Sequence, residues 1–274
     1  MGQYLATVRP NIDTAITTAY ANHDLLFDWH RFEIPPGEAC IKNFNIIMPG
    51  TNGAAANEVD FTFFIARSVF GAAPPSLGTA NAAMNNAAGK IAFAGCKNHI
   101  VYTQTVDASI MASESTYTQG YEIYTSTGMN TLSGTQAAQI ANALQPGGVN
   151  IGNSKYTGNY NDSTSQPGMN SFWIAAITGG AHDFGTAVAL DQGDGQAVSS
   201  IGQGPITLTV SGTDADDVFS IGDDLIAADG AIIGTVIGVT SSTVIVVNEV
   251  KTALANTDEI CVRNPIIFNF GIEY

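Results

Sequence analysis

The sequence predicts a mainly β protein, and two features of its patterning carry that prediction. Short apolar runs alternate with polar residues along much of the chain, which is the period of a half-buried strand. Turn-forming residues separate these runs, and glycine alone contributes 29 of the 274 residues. We therefore expect a β-sandwich, of which the jelly roll is one arrangement, together with a small β-barrel of short antiparallel strands.

Strands are predicted in order along the first 186 residues. The first, at 25–34, places Phe27 and Trp29 on one face and stops at Pro35. Residues 11–23 fit either a short helix or an extended arm. The remaining strand candidates are 39–48, 58–68, 91–93, 99–106, 120–124 and 172–178, with loops predicted at 71–89 and 150–170.

One segment, 133–144, has the signals of a helix. Ser133 and Gln136 resemble a capping box, an apolar stripe runs from 137 to 144, and Pro146 stops the pattern. At the far end of the chain, 265–274 reads as a strand. We expect it to join the sheet of the N-terminal part rather than the barrel.

Residues 187–263 predict the barrel. Turn signals such as Gly222-Asp223 and Asp229-Gly230 interrupt apolar runs every few residues. The predicted organisation is a β-sandwich built from 1–186 and completed by 264–274, with the acidic barrel at 187–263 inserted between the last two strands of the sandwich.

The charge of the chain is low and unevenly distributed. Only 12% of residues are charged, and the formal net charge is −15. Residues 187–262 hold eleven acids and one base, Lys251. An acidic module argues against nucleic-acid binding, which needs basic surface to neutralise phosphates. It suits either a solvated face with no partner or an outward face in a crowded particle.

The cysteines and the apolar runs limit the class further. Cys40, Cys96 and Cys261 lie far apart, so they fit neither a disulfide framework nor a zinc motif, and we expect buried thiols. The opening residues lack the charged and apolar regions of a secretory signal. No run reaches the length of a membrane span. We expect synthesis in a cytoplasm and no membrane partner.

No motif in the chain indicates catalysis, and the sequence predicts a protein that is not an enzyme and needs no cofactor or metal. His30 on a strand fits structural hydrogen bonding better than catalysis, and His182-Asp183 fits a turn better than an acid–base pair. Serine-hydrolase and P-loop motifs are absent. A carboxylate pair for glycoside cleavage is defined in space, so the sequence leaves it open.

Two further sets of residues are candidate binding groups. The acidic clusters at 191–194 and 214–217 could offer oxygen ligands to calcium, although neither matches an EF-hand loop. Tyrosines in polar surroundings could form an interaction surface for glycans or protein partners, with packing inside the loops as the alternative. These are Tyr117, Tyr121, Tyr124, Tyr156 and Tyr160.

The barrel segment resembles a known module. Its pattern of Phe219-x-Ile-Gly-Asp-x-Leu, Ala-Asp-Gly230, Ile233-Gly-Thr-Val, Thr243-Val-Ile-Val and Leu254-x-x-x-Asp-Glu-Ile260 is similar to the SH3-like β-barrel modules of tailed-bacteriophage virion proteins. The resemblance covers about 45 residues, and the last ten residues of the chain agree more loosely. It implies interaction surfaces and carries no catalytic residues.

From this resemblance we expect a phage virion structural protein, and first a capsid decoration or cement protein that stabilises the head. Its partners would be the major capsid protein and sibling copies of itself, and its location would be the capsid exterior. The alternative is a tail, baseplate or fibre component that contacts host-surface glycan through the tyrosines. A glycan-cleaving enzyme is the third reading.

Overall fold

The fold is taken from a computed structural model that describes residues 2–12, 19–49, 59–106, 119–125, 148–156, 169–182, 187–191, 202–212 and 215–274. The helix predicted at 133–144 and much of 11–23 lie outside these ranges.

The elements in chain order are β1 (Gln3–Val8), β2 (Leu25–Ile34), β3 (Ala39–Pro49), β4 (Phe61–Arg67), α1 (Ala87–Cys96), β5 (Ile100–Val106), β6 (Gln119–Thr125), β7 (Val149–Gly152), β8 (Asn170–Thr178), β9 (Val188–Ala189), β10 (Gly202–Thr209), α2 (Ala215–Val218), β11 (Asp224–Ala227), β12 (Ile232–Ser241), β13 (Val244–Val250), β14 (Glu259–Val262) and β15 (Ile267–Glu273).

Two antiparallel sheets form sandwich-like layers. One has the order β1-β15-β3-β6, with β7 also paired to β3, and the other has the order β2-β8-β4-β5. The last strand, β15, lies between β1 and β3, with Phe268 opposite both Val8 and Ile46. The prediction that the end of the chain returns to the N-terminal sheet is therefore confirmed.

The core between these sheets is aromatic. Phe268 and Phe270 of one sheet contact rings from the other, because alternate residues of each strand point inward. The ring centroid of Phe63 lies 5.4 Å from that of Phe268 and 5.4 Å from that of Phe44, and each pair packs edge to face. Such pairs are favoured by about 0.5–1.5 kcal/mol beyond the area they bury. The rings thereby fix how the two layers pack together.

The segment 91–93, predicted as a strand, is instead part of α1, which also takes the end of the loop predicted at 71–89. Asn86 caps the helix, its side-chain oxygen accepting a bond from the Gly89 N–H at 2.9 Å. The cap and the alanine content favour a helix over the short apolar run. Phe93 packs on Phe64 at 4.9 Å, so α1 covers the outer face of the second sheet.

The third sheet holds β9 to β14 in the order β10-β13-β12-β11-β14-β9 and is curled into a half-barrel. Register shifts interrupt its pairing at 203–206, 225–226, 236–238 and 239–241. Such bulges bend a strand and increase its twist, which lets a sheet curl. Its core is mostly aliphatic, with Leu225, Ile233, Ile245 and Val247 fully buried around Phe219. The domain boundaries themselves stay a prediction.

The curled sheet meets one end of the sandwich. Arg9, just after β1, donates to the Gly222 carbonyl at 3.0 Å and pairs with Asp223 at 3.4 Å. Ile226 and Cys261 belong to the aromatic core cluster rather than to the core of their own sheet. At the other end of β1, Gly2 and Tyr274 exchange backbone hydrogen bonds of 2.8 and 3.1 Å, and the tyrosine ring lies against Gly2.

Most remaining strand predictions are confirmed within a few residues, at β2, β3, β4, β5, β6 and β8. The loop predicted at 150–170 begins inside β7. The thiols of Cys96 and Cys261 are buried as predicted, whereas Cys40 is half-buried. No helix in the described part of the chain is both long and apolar enough to cross a membrane.

Candidate functional site

Of the five predicted tyrosines, the structure describes the side chain of Tyr156, and the surface they would form together stays a prediction. Tyr117 and Tyr160 lie outside the described residues. The backbones of Tyr121 and Tyr124 pair with Ile47 and Phe44 in β6 and β3.

The ring of Tyr156 is packed within the fold. It lies edge to face on Trp173 at 5.4 Å, and the Arg31 guanidinium carbon is 5.5 Å from its centroid. The tyrosine is half-buried and Trp173 is buried. For Tyr156 the geometry is that of packing within a loop.

A buried group of three serines includes Ser154, two residues before Tyr156. The Ser154 hydroxyl donates to the Ser171 carbonyl and lies 3.3 Å from the Ser68 hydroxyl, which donates to the Lys155 carbonyl at 2.6 Å. Ser171 donates to Glu33, which lies 3.7 Å from Arg31. These bonds hold residues 154–156 against β4 and β8. The network is suited to fixing the end of the sandwich, since its hydroxyls bond to backbone and to one another.

At that end of the sandwich a tight turn presents Phe70 to solvent. Val69 and Ala72 exchange two backbone hydrogen bonds of 3.0 Å, and the two residues between them have positive φ, +50° at Phe70 and +80° at Gly71. That is the signature of a type I′ turn, which normally takes Asn or Gly. The relative exposure of Phe70 is 104%. A bulky residue costs about 1–2 kcal/mol in this conformation. The turn therefore combines an unfavourable backbone conformation with a fully solvent-exposed aromatic ring.

The groups around this turn are mainly basic. Arg67, Lys97 and Lys155 are exposed, and the Arg67 guanidinium lies over Gly152. Residues 61–106 contain three bases and no acid. Glu38, just before β3, is an exposed acid near this end.

A second turn presents Ile221 at the curled sheet. The Asp223 N–H donates to the Ser220 carbonyl at 3.1 Å, Ser220 N–H donates to the Asp223 carboxylate at 2.7 Å, and Gly222 has a φ of +96°. The turn is of type II, with Ile221 at its second position and 67% exposed.

Ile237 lies beside that turn. The Gly222 N–H donates to the Val236 carbonyl at 2.9 Å, so the residues that follow Ile221 and precede Ile237 are bonded to each other. Ile237 is the extra residue of the bulge at 236–238 and is 44% exposed. Exposed Asp216 precedes the turn on α2. We call Ile221 and Ile237 the isoleucine patch.

Burial shifts the pKa values of two groups in opposite senses, one distant from the exposed turns and one, Asp223, within the turn that presents Ile221. His182 is buried, and desolvation lowers its pKa from 6.5 to about 4, so it is neutral at pH 7. Its backbone bridges Tyr20, and Asp183 lies outside the described residues. Burial raises the pKa of Asp223, partly offset by the Ser220 N–H and Arg9.

The other predicted ligands and histidines come together in no described centre. His99 is buried, with Nδ1 3.0 Å from the Arg67 carbonyl, and His30 is half-buried in β2. In the ranges that the structure describes, no group of three or more His, Cys, Asp or Glu could hold a metal. Of the calcium candidates, Asp194 and Asp214 fall outside those ranges.

The turn at 220–223 was predicted from Gly222-Asp223, but the exposure of Ile221 on it was not. The Phe70 turn was missed, although Gly71, shortly after β4, was a usable turn signal.

In comparisons with protein-family models, curated proteins and solved structures, nothing matches this chain.

Proposed function

We propose that this protein is a structural component of a tailed-bacteriophage virion, of the capsid decoration or cement type, with the curled sheet as its SH3-like module. The residue pattern of 219–260 supports the module, and the mainly β sandwich with an acidic curled sheet is compatible with it. The observation that supports an assembly role is Phe70, a fully exposed ring on a turn closed by two backbone hydrogen bonds.

The mechanism is burial of apolar surface on a larger particle. A phenylalanine side chain can remove about 150–250 Å² from water. Full burial of such a side chain contributes about 1.5–3 kcal/mol per copy before association costs. Because the turn is already held by two backbone hydrogen bonds, little conformational entropy is lost when the ring is buried.

The proposed activity is binding rather than catalysis. The serine network is directed into the fold, and its partners are backbone carbonyls, Glu33 and other serines. The glycan-contact alternative depends on open tyrosines, and the packing of Tyr156 gives it no support.

Cryo-electron microscopy of the parent particle tests the location. We expect density for a sandwich with a curled sheet on the exterior of the shell. Density on the tail would move the proposal to the adhesion role, and absence from the particle would overturn it.

A stability assay tests the mechanism. Particles depleted of the protein should lose heat and salt resistance, and adding back wild-type protein should restore it. Phe70→Asn protein should restore it poorly, while Ile91→Ser protein, altered at an exposed isoleucine of α1, should act like wild type. Equal rescue by all three would contradict a role for Phe70.

A further inference from the structure

The Phe70 turn and the isoleucine patch lie at opposite ends of the sandwich. Arg9 follows Val8 at one end of β1 and contacts the turn of the isoleucine patch. At the other end, Gly2 pairs with Tyr274, Glu273 is opposite Cys40, and Ala39 is opposite Gly152, over which Arg67 lies. Six residues of strand separate these ends by about 20 Å.

The two ends are complementary in exposed apolar surface and in charge. The Phe70 end offers a fully exposed ring with Arg67, Lys97 and Lys155 around it. The other end offers two exposed isoleucines with exposed Asp216 and the Arg9–Asp223 ion pair close by. They belong to a segment, 187–262, that holds eleven acids and one base. An apolar anchor with basic groups around it fits an apolar patch on a net-acidic module, which favours encounter.

We propose that copies of this chain associate head to tail, with the Phe70 turn of one copy seated on the isoleucine patch of the next. This inference names the sibling copy as a partner and rests on the proposed assembly function. One molecule cannot join its own two ends, so the contact is heterologous. Repetition gives a ring if the rotation closes and a filament or file of subunits if it does not.

The contact surfaces can be changed without disturbing the fold. Asn suits positive φ, so Phe70→Asn removes the ring and keeps the turn. Ile221→Ser removes half of the isoleucine patch at an exposed turn position. Ile91→Ser is the matched control, since Ile91 is exposed to 73% but lies on α1, outside both surfaces. Circular dichroism and melting temperature check that each variant is folded.

Analytical ultracentrifugation of the purified chain in low salt tests the association. Wild type and Ile91→Ser should form oligomers that dissociate as salt rises, because the facing charges become screened. Phe70→Asn and Ile221→Ser alone should each associate at least about tenfold more weakly.

Mixing the two variants identifies the head-to-tail arrangement. Phe70→Asn keeps an intact isoleucine patch and Ile221→Ser keeps an intact turn, so an equimolar mixture should form capped one-to-one dimers that neither forms alone. Failure of the mixture to dimerise, with oligomers lost in Phe70→Asn only, would indicate turn-to-turn pairing and overturn the proposal.

A wild-type chain that stays monomeric at every salt concentration also overturns it. If that monomer still binds depleted particles, the head-to-tail contact fails while the proposed function stands. If the oligomers form but particles never bind the protein, the proposed function fails instead.

Discussion

The sandwich and the curled sheet are stabilised by different kinds of core. Between the two sandwich layers, phenylalanine rings from both sheets contact one another, with Phe268 touching Phe27, Phe61, Phe63 and Phe270. The curled sheet is filled mainly by aliphatic side chains. Large rings concentrate packing free energy at few positions, whereas small aliphatic groups spread it over many. The sandwich should therefore be sensitive to loss of side chain, and the curled sheet to changes in its backbone.

Truncation at the centre of the aromatic core should have the largest effect. Phe268→Ala removes four ring contacts and leaves a cavity, so the free energy of unfolding should fall by about 3–5 kcal/mol. Urea unfolding measures this, with Ile245→Val in the curled sheet as the comparison at about 1 kcal/mol. Similar losses for the two variants would break the contrast between the cores.

A backbone change in the curled sheet should come next. Gly234→Ala would direct a Cβ into the Glu249 carbonyl oxygen of the neighbouring strand, and we expect a loss of about 2–3 kcal/mol. Gly238→Ala in the same strand is the control, because its Cβ would meet Val246 at an ordinary 3.6 Å. Thermal unfolding of the two variants separates them, and equal melting temperatures would show that the strands can move apart freely.

Acid should weaken the sandwich through His182. Its folded pKa is about 4 and its unfolded pKa is 6.5, so the unfolded chain binds the extra proton and stability falls as pH drops from 6.5 toward 4. Between pH 7 and pH 5 this linkage is about 2 kcal/mol. Urea unfolding at the two pH values should show a smaller difference for His182→Asn than for wild type, and an unchanged difference would exclude His182 as the cause.

The curled sheet should respond to acid in the opposite sense through Asp223. Its folded pKa is raised above 3.8, so the folded state binds the proton more tightly and gains stability as pH falls through that raised value. Asp223→Asn keeps an acceptor for the Ser220 N–H and removes the titration. Between pH 7 and pH 4, the free energy of unfolding of wild type should rise relative to that of this variant. A difference between the two proteins that stays constant with pH would count against titration of Asp223 as the cause.

The smallest effect should be a gain. Phe70→Asn relieves the positive-φ strain at the turn and loses no buried apolar area, because the Phe70 ring is exposed in the monomer. The free energy of unfolding should therefore rise by about 1 kcal/mol. Chemical denaturation of the monomer at high salt measures this without interference from association. A loss of stability would mean that the ring packs on its own chain.

The strands were predictable because each apolar run is local. β2 and β8 are read directly from Leu25–Ile34 and Asn170–Thr178, and β8 is buried at eight of its nine positions rather than on one face. The partners of the rings were not predictable, because Phe44 and Phe63 meet only after two separate sheets stack. The helix α1 was missed because its alanines leave no strong apolar stripe, and its cap is one side chain, Asn86.

The functional surfaces were less predictable than the fold. Tyrosines in polar loops looked exposed by composition, yet the ring of Tyr156 lies against Trp173 and Arg31. The exposure of Phe70 depends on a turn geometry that only the closing bonds of Val69 and Ala72 establish. Binding surfaces of this kind depend on the exposure of single side chains in the folded structure, which the periodicity of the sequence does not indicate.

The pairing of Gly2 with Tyr274 has a mechanical consequence. β1 and β15 are antiparallel, so residues 2 and 274 face each other at the same end of one ladder. Tension applied between them would pull across the strands and load the Gly2–Tyr274 bonds first, then each following pair in turn. The sheet would open as a zipper at low force, whereas a pull along the strands would strain all the ladder bonds together.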